Sequence, residues 1–309
     1  MLEDTCAIDF AALRKKEKQR IRRERAFIKK EKENDCGKQH SKGASPLQTN
    51  DETTKLPSNE QEITSISCYN TETSSQIDML SKHIVSTSNL KNCVHYIPNF
   101  VKPDFAKSVI DWLQDLPHTS NVYESEADYH GKWTRLKYAQ RNVALFDLRN
   151  GSSESWLLSA FCQVLVDIGA FPEEKRPNHV LVNEYTGCEG ILAHTDGPMY
   201  YPTTATISLG SEVLFQFTPR LSAKGTRSDV EHEHLLQVKL ENFSLITFHG
   251  KAYTDCCHGI NDRVGSCYET ARSTCVNAKL GETVSRGKRT SLTFRHKYTD
   301  DNGEKLEVS

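Results

Sequence analysis

Two side chains that can bind a metal stand two positions apart in the segment GILAHTDGP. His194 and Asp196 follow a predicted strand and a glycine-containing turn. Alternate side chains of an extended chain point the same way, so this imidazole and this carboxylate can share one ion. The spacing alone is weak evidence, because the chain has 12 His residues. A third ligand is needed.

The best third ligand is His258, in the segment GKAYTDCCHGI. It follows Asp196 by 62 positions, and strands predicted between them could return the chain to the metal. Two His and one carboxylate leave open coordination positions, as in non-haem Fe(II) oxygenases and unlike closed structural zinc sites. His232, His234 and His249 are competitors, and for each an ordinary hydrogen-bonded His is the preferred interpretation.

A candidate anion site lies in the segment RTSLTFR. In a strand, Arg289, Ser291, Thr293 and Arg295 point to one face. Two Arg side chains buried inside an enclosed barrel destabilise it unless anions pair with their charges. The planar guanidinium can form two parallel hydrogen bonds to a carboxylate. An edge strand with solvated Arg is the alternative if the segment is taken alone.

A polar pair precedes the metal-binding segment. Asn183 and Tyr185 stand two apart on the predicted strand HVLVNEY, so they share a face. An amide and a phenol can both hydrogen-bond to a carboxylate. Taken alone, the pair does not indicate a binding site, and it supports one only together with the other motifs.

The predicted secondary structure that positions these residues changes along the chain from helices to strands. PDFAKSVIDWLQDL and SESWLLSAFCQVLVDIGAF have apolar residues at helical spacing, with Pro103 at the start of the first and Gly169 at the end of the second. The later segments HVLVNEY, TATISLG, EVLFQF, HLLQVKL, FSLITF and TSLTFRHKY are short and rich in β-branched and aromatic residues. Two helices followed by strands predict an α+β fold with a β-sandwich or jelly roll.

Taken together, N-E-Y, H-T-D-G, C-H-G-I and R-x-S-L-T-x-R occur in this order, and the set resembles the AlkB family of Fe(II)/2-oxoglutarate dioxygenases. The segment HVLVNEYTGCEGILAHTDGPMYYPTTATISLG is most like the homolog 6 type of that family. The resemblance covers roughly Lys91 to Lys297. It implies a double-stranded β-helix (jelly roll) core of about residues 177–299 with flanking helices.

The resemblance also implies roles for individual residues. The iron ligands would be His194, Asp196 and His258. The residues that hold the cosubstrate 2-oxoglutarate would be Asn183, Tyr185, Arg289 and Arg295. Ser291 stands where several family members have Asn. The span 261–286 is longer than in the bacterial enzyme, and we expect a surface loop there.

The implied activity is oxidation of a C–H bond by O₂, coupled to decarboxylation of 2-oxoglutarate to succinate. Hydroxylation of an N-methyl group would release formaldehyde. A nucleic acid or a protein is the expected substrate. The rival hypothesis is a non-catalytic adaptor that keeps the barrel and acts through its basic tail, and an intact set of ligand residues argues against it.

Charge and aromatic residues leave the substrate class open. Many relatives demethylate nucleic acids, yet the chain outside residues 14–32 carries about −10, whereas nucleic-acid binding draws on Lys and Arg. Trp133, Tyr200 and Tyr201 could stack on a base, but core packing is the preferred interpretation. A local patch could still guide an anion, and it consists of Lys132, Arg135, Lys137 and Arg141.

Residues 1–90 differ from the rest in composition. Residues 14–32 carry 11 Lys or Arg and three Glu, which indicates a solvated helix in preference to a nuclear-localisation or RNA-binding patch. Residues 41–91 are polar and too poor in apolar groups to fold, which predicts a disordered linker. The sequence therefore predicts an N-terminal tail of residues 1–90 and a dioxygenase domain of residues 91–309.

The remaining composition bears on where the protein works. Its ten Cys are scattered without a repeated C-x-x-C spacing, so we expect reduced thiols and no zinc finger. No apolar run is long enough for a bilayer, and the start, MLEDTCAIDF, lacks the order of a secretory signal. We expect a monomer in the cytoplasm and nucleus without membrane attachment.

Overall fold

The structure is a computed structural model. It describes residues 80, 83–85, 90, 92–119, 130–135, 141–150, 156–220, 235–262 and 267–298, all within the unit Thr64–Ser309. The predicted charged helix and most of the predicted linker lie outside these residues, as do His232, His234 and Lys137.

The described chain forms two main sheets, one small sheet and three helices. In chain order the strands are β1 Val94–Ile97, β2 Thr134–Arg135, β3 Asn142–Asp147, β4 His179–Tyr185, β5 Ile191–His194, β6 Thr203–Gly210, β7 Val213–Pro219, β8 Leu236–Leu240, β9 Ser244–His249, β10 Cys256–Ile260, β11 Tyr268–Thr270, β12 Thr283–Ser285 and β13 Arg289–Arg295. The α-helices are α1 Pro103–Gln114, α2 Trp156–Asp167 and the short α3 Lys251–Thr254. Two 3₁₀ turns cover Leu148–Asn150 and Glu173–Lys175.

The two main sheets are antiparallel and face each other. The larger has the order β1-β9-β6-β13-β4-β3-β2, and the smaller has the order β5-β10-β7-β8. Apolar residues from both fill the space between them, among them Phe215 and Val238 of the small sheet and Ile246 and Phe248 of the large one. This two-sheet arrangement confirms the predicted jelly roll with flanking helices.

Helices α1 and α2 cover the opposite face of the large sheet. Phe105, Val109 and Leu113 recur at helical spacing in α1 and are buried, as their periodicity predicts. They share one hydrophobic core with residues of α2 and of the sheet: Leu158, Phe161, Leu165, Val180, Val182, Ile207, Leu292 and Phe294. No helix among the described residues has the length and apolar character to span a membrane.

Strand β13 lies in the middle of the large sheet, hydrogen-bonded to β4 on one side and β6 on the other. Because side chains alternate along a strand, Leu292 and Phe294 enter the helix-side core. Arg289 and Arg295 belong to the other set and are 4% and 7% exposed. The predicted division of this strand into an apolar and a cationic face is confirmed, and the solvated-edge alternative is excluded.

The span 261–286 corrects the prediction of a surface loop. Its described part contains the β11–β12 hairpin, in which Ala271 and Val284 pack on Leu214 of β7. Glu269 and Arg286 are also buried. The strands have only three residues each, with one buried position per strand, Glu269 and Val284, so they give almost no periodic apolar signal.

Ordered contacts begin before the boundary that the sequence predicts near Lys91. The Val85 N–H donates to the Val94 carbonyl, and the Tyr96 N–H donates to the His83 carbonyl, so this short segment runs along β1. Val85 and Leu90 are buried in the core between the sheets. The residues just before Lys91 therefore contribute to the domain.

These contacts predict different outcomes for two truncations. Deleting residues 1–79 removes none of the described contacts, so the melting temperature should change by no more than about 2 °C. Deleting residues 1–90 removes two buried apolar side chains, worth about 3 kcal/mol together, which corresponds to roughly 6–12 °C. Thermal unfolding by circular dichroism would measure both, and equal melting temperatures would contradict the contribution of Val85 and Leu90.

Candidate active site

The three predicted metal ligands come together at one end of the small sheet. His194 on β5 lies directly opposite His258 on the neighbouring strand β10, and Asp196 follows two residues after β5. The Oδ1 atom of Asp196 is 3.9 Å from Nε2 of His194 and 3.7 Å from Nε2 of His258. One donor atom from each residue lies within 4.8 Å of the other two.

The two imidazoles are prepared to act as neutral ligands. The Nδ1 atom of His194 is 2.8 Å from the Leu192 carbonyl oxygen, so Nδ1 carries the proton and Nε2 offers its lone pair. The ring of His258 packs against Phe248 and Phe215, with centroid distances of 4.8 and 5.7 Å. Burial, followed by the charge of His194, lowers the pKa of His258 to about 3. Both features favour the form that binds a cation.

Asp196 is held as a carboxylate by its surroundings. Thr204 Oγ1 donates to Oδ2 at 2.6 Å, and Arg295 Nη2 donates to Oδ1 at 2.6 Å. Burial alone would raise the pKa of Asp196, but the charge of Arg295 and then those of His258 and His194 outweigh it, and the pKa lies below its ordinary value. The carboxylate therefore stays ionised and available to a metal.

His249, the remaining described competitor, lies elsewhere. Its ring stacks on His95 with a centroid distance of 5.6 Å and an interplanar angle of 17°. Among the described residues, only His194, Asp196 and His258 form a cluster able to hold a metal.

Close backbone packing sets the distance between the two His strands. A Cβ atom on Gly259 would lie 2.9 Å from the backbone N and Cα of Ala193 in β5. A Cβ on Gly190 would lie 2.5 Å from the Ile260 carbonyl oxygen. Glycine at both positions lets β5 and β10 approach closely enough for His194 and His258 to converge.

Arg289 presents unsatisfied donors to a pocket beside the barrel interior. Its Nη2 donates to Ser208 Oγ at 2.8 Å, and its guanidinium lies 5.4 Å from the centre of the Tyr185 ring. Its Nε and Nη1 atoms are buried without a hydrogen-bond partner among the described residues. Burial lowers the pKa of Arg289 to about 10, so the group remains a cation. Arg289, Tyr185, Glu189 and Arg286 help to line a small pocket.

The other predicted cosubstrate residues share the inward face. In the register of the large sheet, Tyr185 lies opposite Arg289 and Asn183 lies opposite Ser291. Both β4 residues are buried, with 5% and 4% of their surface exposed. Ser291, where relatives carry Asn, is also buried and faces Ser208 of β6.

The sequence gives no signal for the contacts that three residues make within the site. Tyr200 is buried, and its ring lies 5.2 Å from the Arg295 guanidinium, so it lines the site and does not offer a free stacking face. The Tyr253 hydroxyl donates to the Gly197 carbonyl at 2.9 Å and anchors the chain after Asp196. Arg141 donates from Nε to Asn183 Oδ1 at 2.9 Å. These contacts depend on the tertiary arrangement alone.

Trp133 and part of the local basic patch make contacts within the domain. Trp133 is buried, and its Nε1 donates to the Leu113 carbonyl at 2.7 Å, which confirms the core interpretation. Arg135 donates to Glu189 Oε1 at 2.8 Å. The predicted patch is therefore partly used for internal contacts.

The three-ligand cluster opens towards solvent at β5. This strand lies at the edge of the small sheet, and Leu192 on it is 45% exposed. Met199, three residues after Asp196, is 46% exposed. His194 is itself 29% exposed, so the cluster is in contact with solvent on this side.

These residues fit a divalent metal with an anionic cosubstrate. Bonds of roughly 2.0–2.2 Å span donor atoms up to about 4.4 Å apart, so the separations of 3.7 and 3.9 Å suit one ion. Two imidazoles and one carboxylate leave coordination positions open. The unmet N–H groups of Arg289 and the unpartnered Nε of Arg295 require acceptors, as a dicarboxylate would supply.

The comparisons with known proteins agree with this chemistry. The family model described as the 2OG-Fe(II) oxygenase superfamily matches residues 93–295. The chain belongs to this superfamily. It is 31% identical over 229 residues to a Danio rerio protein described as "Probable RNA/DNA demethylase ALKBH6", with 70% of this chain and 90% of that protein covered, which places it in the AlkB family.

Two solved structures were also matched to this oxygenase. That of OsALKBH1 is 19% identical, with 67% of this chain and 99% of that chain covered and a TM-score of 0.41. A 2OG-Fe(II) oxygenase family protein from Burkholderia pseudomallei is 13% identical, with 66% and 85% covered and a TM-score of 0.40.

The close approach at Gly259 predicts a specific loss of metal binding. Gly259→Ala must push β5 away from β10, because its Cβ would meet the β5 backbone at 2.9 Å. The dissociation constant for Mn(II), used as a redox-inert substitute for iron, should rise about tenfold or more, equivalent to about 1.4 kcal/mol. Gly287→Ala is the matched control, since its Cβ would meet Ser211 at an ordinary 3.5 Å. Wild-type Mn(II) affinity in Gly259→Ala would refute this account.

The two arginines should respond differently to replacement by lysine. Arg289→Lys keeps the charge and loses the planar fork, so the KM for 2-oxoglutarate should rise about tenfold, the scale of one charge-assisted hydrogen bond, with Mn(II) affinity unchanged. Arg295→Lys should change both constants, because Arg295 also bonds to Asp196. Steady-state kinetics and Mn(II) titration would separate the two patterns. An unchanged KM in both variants would exclude the arginines from the cosubstrate site.

Proposed function

We propose that this oxygenase removes N-methyl groups from a nucleic acid by hydroxylating them, with iron held by His194, Asp196 and His258. The observation that carries the proposal is the convergence of these three donors beside two buried Arg with unmet hydrogen-bond donors. Iron and 2-oxoglutarate, when bound, supply the oxidation of a C–H bond by O₂. The substrate methyl becomes a hydroxymethyl group, which leaves as formaldehyde, while the cosubstrate becomes succinate and CO₂.

The residues of the chain bind, orient and shield the reacting groups. Arg289, Arg295, Asn183 and Tyr185 would hold 2-oxoglutarate through N–H and O–H donors. Thr204 and Arg295 fix the Asp196 carboxylate, and Phe215 and Phe248 keep water from the His258 ring. Such a fixed polar site within an apolar barrel meets the requirement for oriented reactants and restricted water access.

The choice of a nucleic acid as substrate rests on the relative and not on charge. The Danio rerio protein is described as a probable RNA/DNA demethylase, whereas residues outside 14–32 carry a net negative charge. The basic segment 14–32 could supply phosphate contacts that the domain lacks the charge to make. A methylated protein is the competing substrate. Monomeric state and location in the cytoplasm and nucleus stay predictions.

The adaptor hypothesis has less support than the enzymatic one. Buried Arg289 and Arg295 would destabilise a purely structural barrel unless an anion met their unused donors. A scaffold also has no need for three converging metal donors with a solvent-accessible edge. Catalysis explains both features.

Product formation by the full chain would test the proposal. With Fe(II), ascorbate, 2-oxoglutarate and O₂, we expect slow succinate formation that an N-methylated oligonucleotide accelerates, with one formaldehyde per additional succinate. A methylated-lysine peptide forms the second arm, and acceleration by the peptide alone would assign a protein substrate. No succinate under any condition would contradict the oxygenase activity.

The ligand assignment predicts how His variants behave in the same assay. His258→Ala should lower succinate formation by more than about 100-fold, because loss of a metal ligand costs more than loss of the groups that orient ligands. His249→Ala is the matched control and should retain turnover, since His249 stacks on His95 away from the cluster. The reverse result would move the third ligand to His249.

A further inference from the structure

Arg141 is a cation beside Asn183 that belongs to none of the metal or cosubstrate motifs. It precedes β3 and is half-buried. Its Nε donates a 2.9 Å hydrogen bond to Oδ1 of Asn183 on β4.

The contact fixes which way the Asn183 amide points. The two ends of an Asn amide have nearly the same shape, so its orientation follows from its partners. A guanidinium can only donate hydrogen bonds, and therefore the amide oxygen must face Arg141. The amide nitrogen then points away from Arg141.

The position of Asn183 makes this orientation relevant to the cosubstrate. Asn183 is buried on the inward face of β4, between Val143 on β3 and Ser291 on β13. Arg289 and Arg295 lie on the same inward face of β13. A carboxylate held there can accept from the amide nitrogen, whereas the amide oxygen would repel it.

We propose that Arg141 is a positioning residue that holds the Asn183 amide with its N–H donors turned towards 2-oxoglutarate. The inference rests on the proposed function, because it takes Asn183 as a cosubstrate residue. Without Arg141, the amide can rotate and present its oxygen to the carboxylate. The loss should appear in cosubstrate affinity and not in metal affinity.

A double-mutant cycle on the full chain would test this coupling. Calorimetric titration of 2-oxoglutarate into the Mn(II)-loaded protein would compare wild type, Arg141→Met, Asn183→Ala and the double variant. Arg141→Met should raise the dissociation constant about three- to tenfold, the scale of one net hydrogen bond. In the Asn183→Ala background the same change should have no further effect, because the group that Arg141 orients is gone.

Control variants distinguish positioning from general charge or stability effects. Arg149→Met removes a cation at the exposed other end of β3, where Arg149 bonds to Asp147, and should leave cosubstrate affinity unchanged. Arg141→Lys keeps a residue that only donates, so its affinity should lie between those of wild type and Arg141→Met. This variant also tests the proposal if Arg141→Met fails to fold.

Four outcomes would overturn the inference. Unchanged cosubstrate affinity in Arg141→Met, or losses that add in the double variant, would show that Arg141 does not act through Asn183. A change confined to the KM of a methylated oligonucleotide would assign Arg141 to substrate binding. A wild-type protein that binds Mn(II) but not 2-oxoglutarate would overturn the proposed function as well, which separates that failure from the other three.

Discussion

The ion pair between Arg295 and Asp196 links the parts of this oxygenase that must cooperate. Arg295 projects from β13 in the large sheet, and Asp196 follows β5 in the small one, so their 2.6 Å hydrogen bond crosses the barrel. Both side chains are almost fully buried, with 8% and 2% exposed. Removing either partner would leave a buried charge uncompensated. The position of a metal ligand is therefore tied to the strand that would hold the cosubstrate.

The polar side chains on the inward face of β13 reduce the apolar burial that this face can contribute to stability. The inward face of β13 carries two Arg, a Ser and a Thr in the middle of a sheet, where apolar side chains would otherwise pack. The opposite face compensates, since Leu292 and Phe294 join the core formed with α1 and α2. The helices thus supply apolar burial that offsets the polar groups on the inward face of β13.

The sequence could predict those features whose signal lies in neighbouring residues, and it could not predict those that depend on contacts between distant segments. Local periodicity predicts the two faces of β13, the convergence of His194 with Asp196, and both long helices. The structure confirms all of them. The link from Arg141 to Asn183 depends on how β3 pairs with β4, which no local pattern encodes. The sequence did not predict the β11–β12 hairpin, because its strands are too short to show an alternation of apolar and polar residues.

The electrostatics of the domain constrain how a polyanionic substrate could bind. Arg135 and Arg141 lie near the active site, but they donate to Glu189 and Asn183, so part of their hydrogen-bonding capacity is already used. Affinity for phosphates grows with the number of Lys and Arg that contact them. The densest group of such residues is the segment 14–32, with a local charge of +8. If the substrate is a nucleic acid, most of its salt-dependent affinity should therefore come from the N-terminal segment.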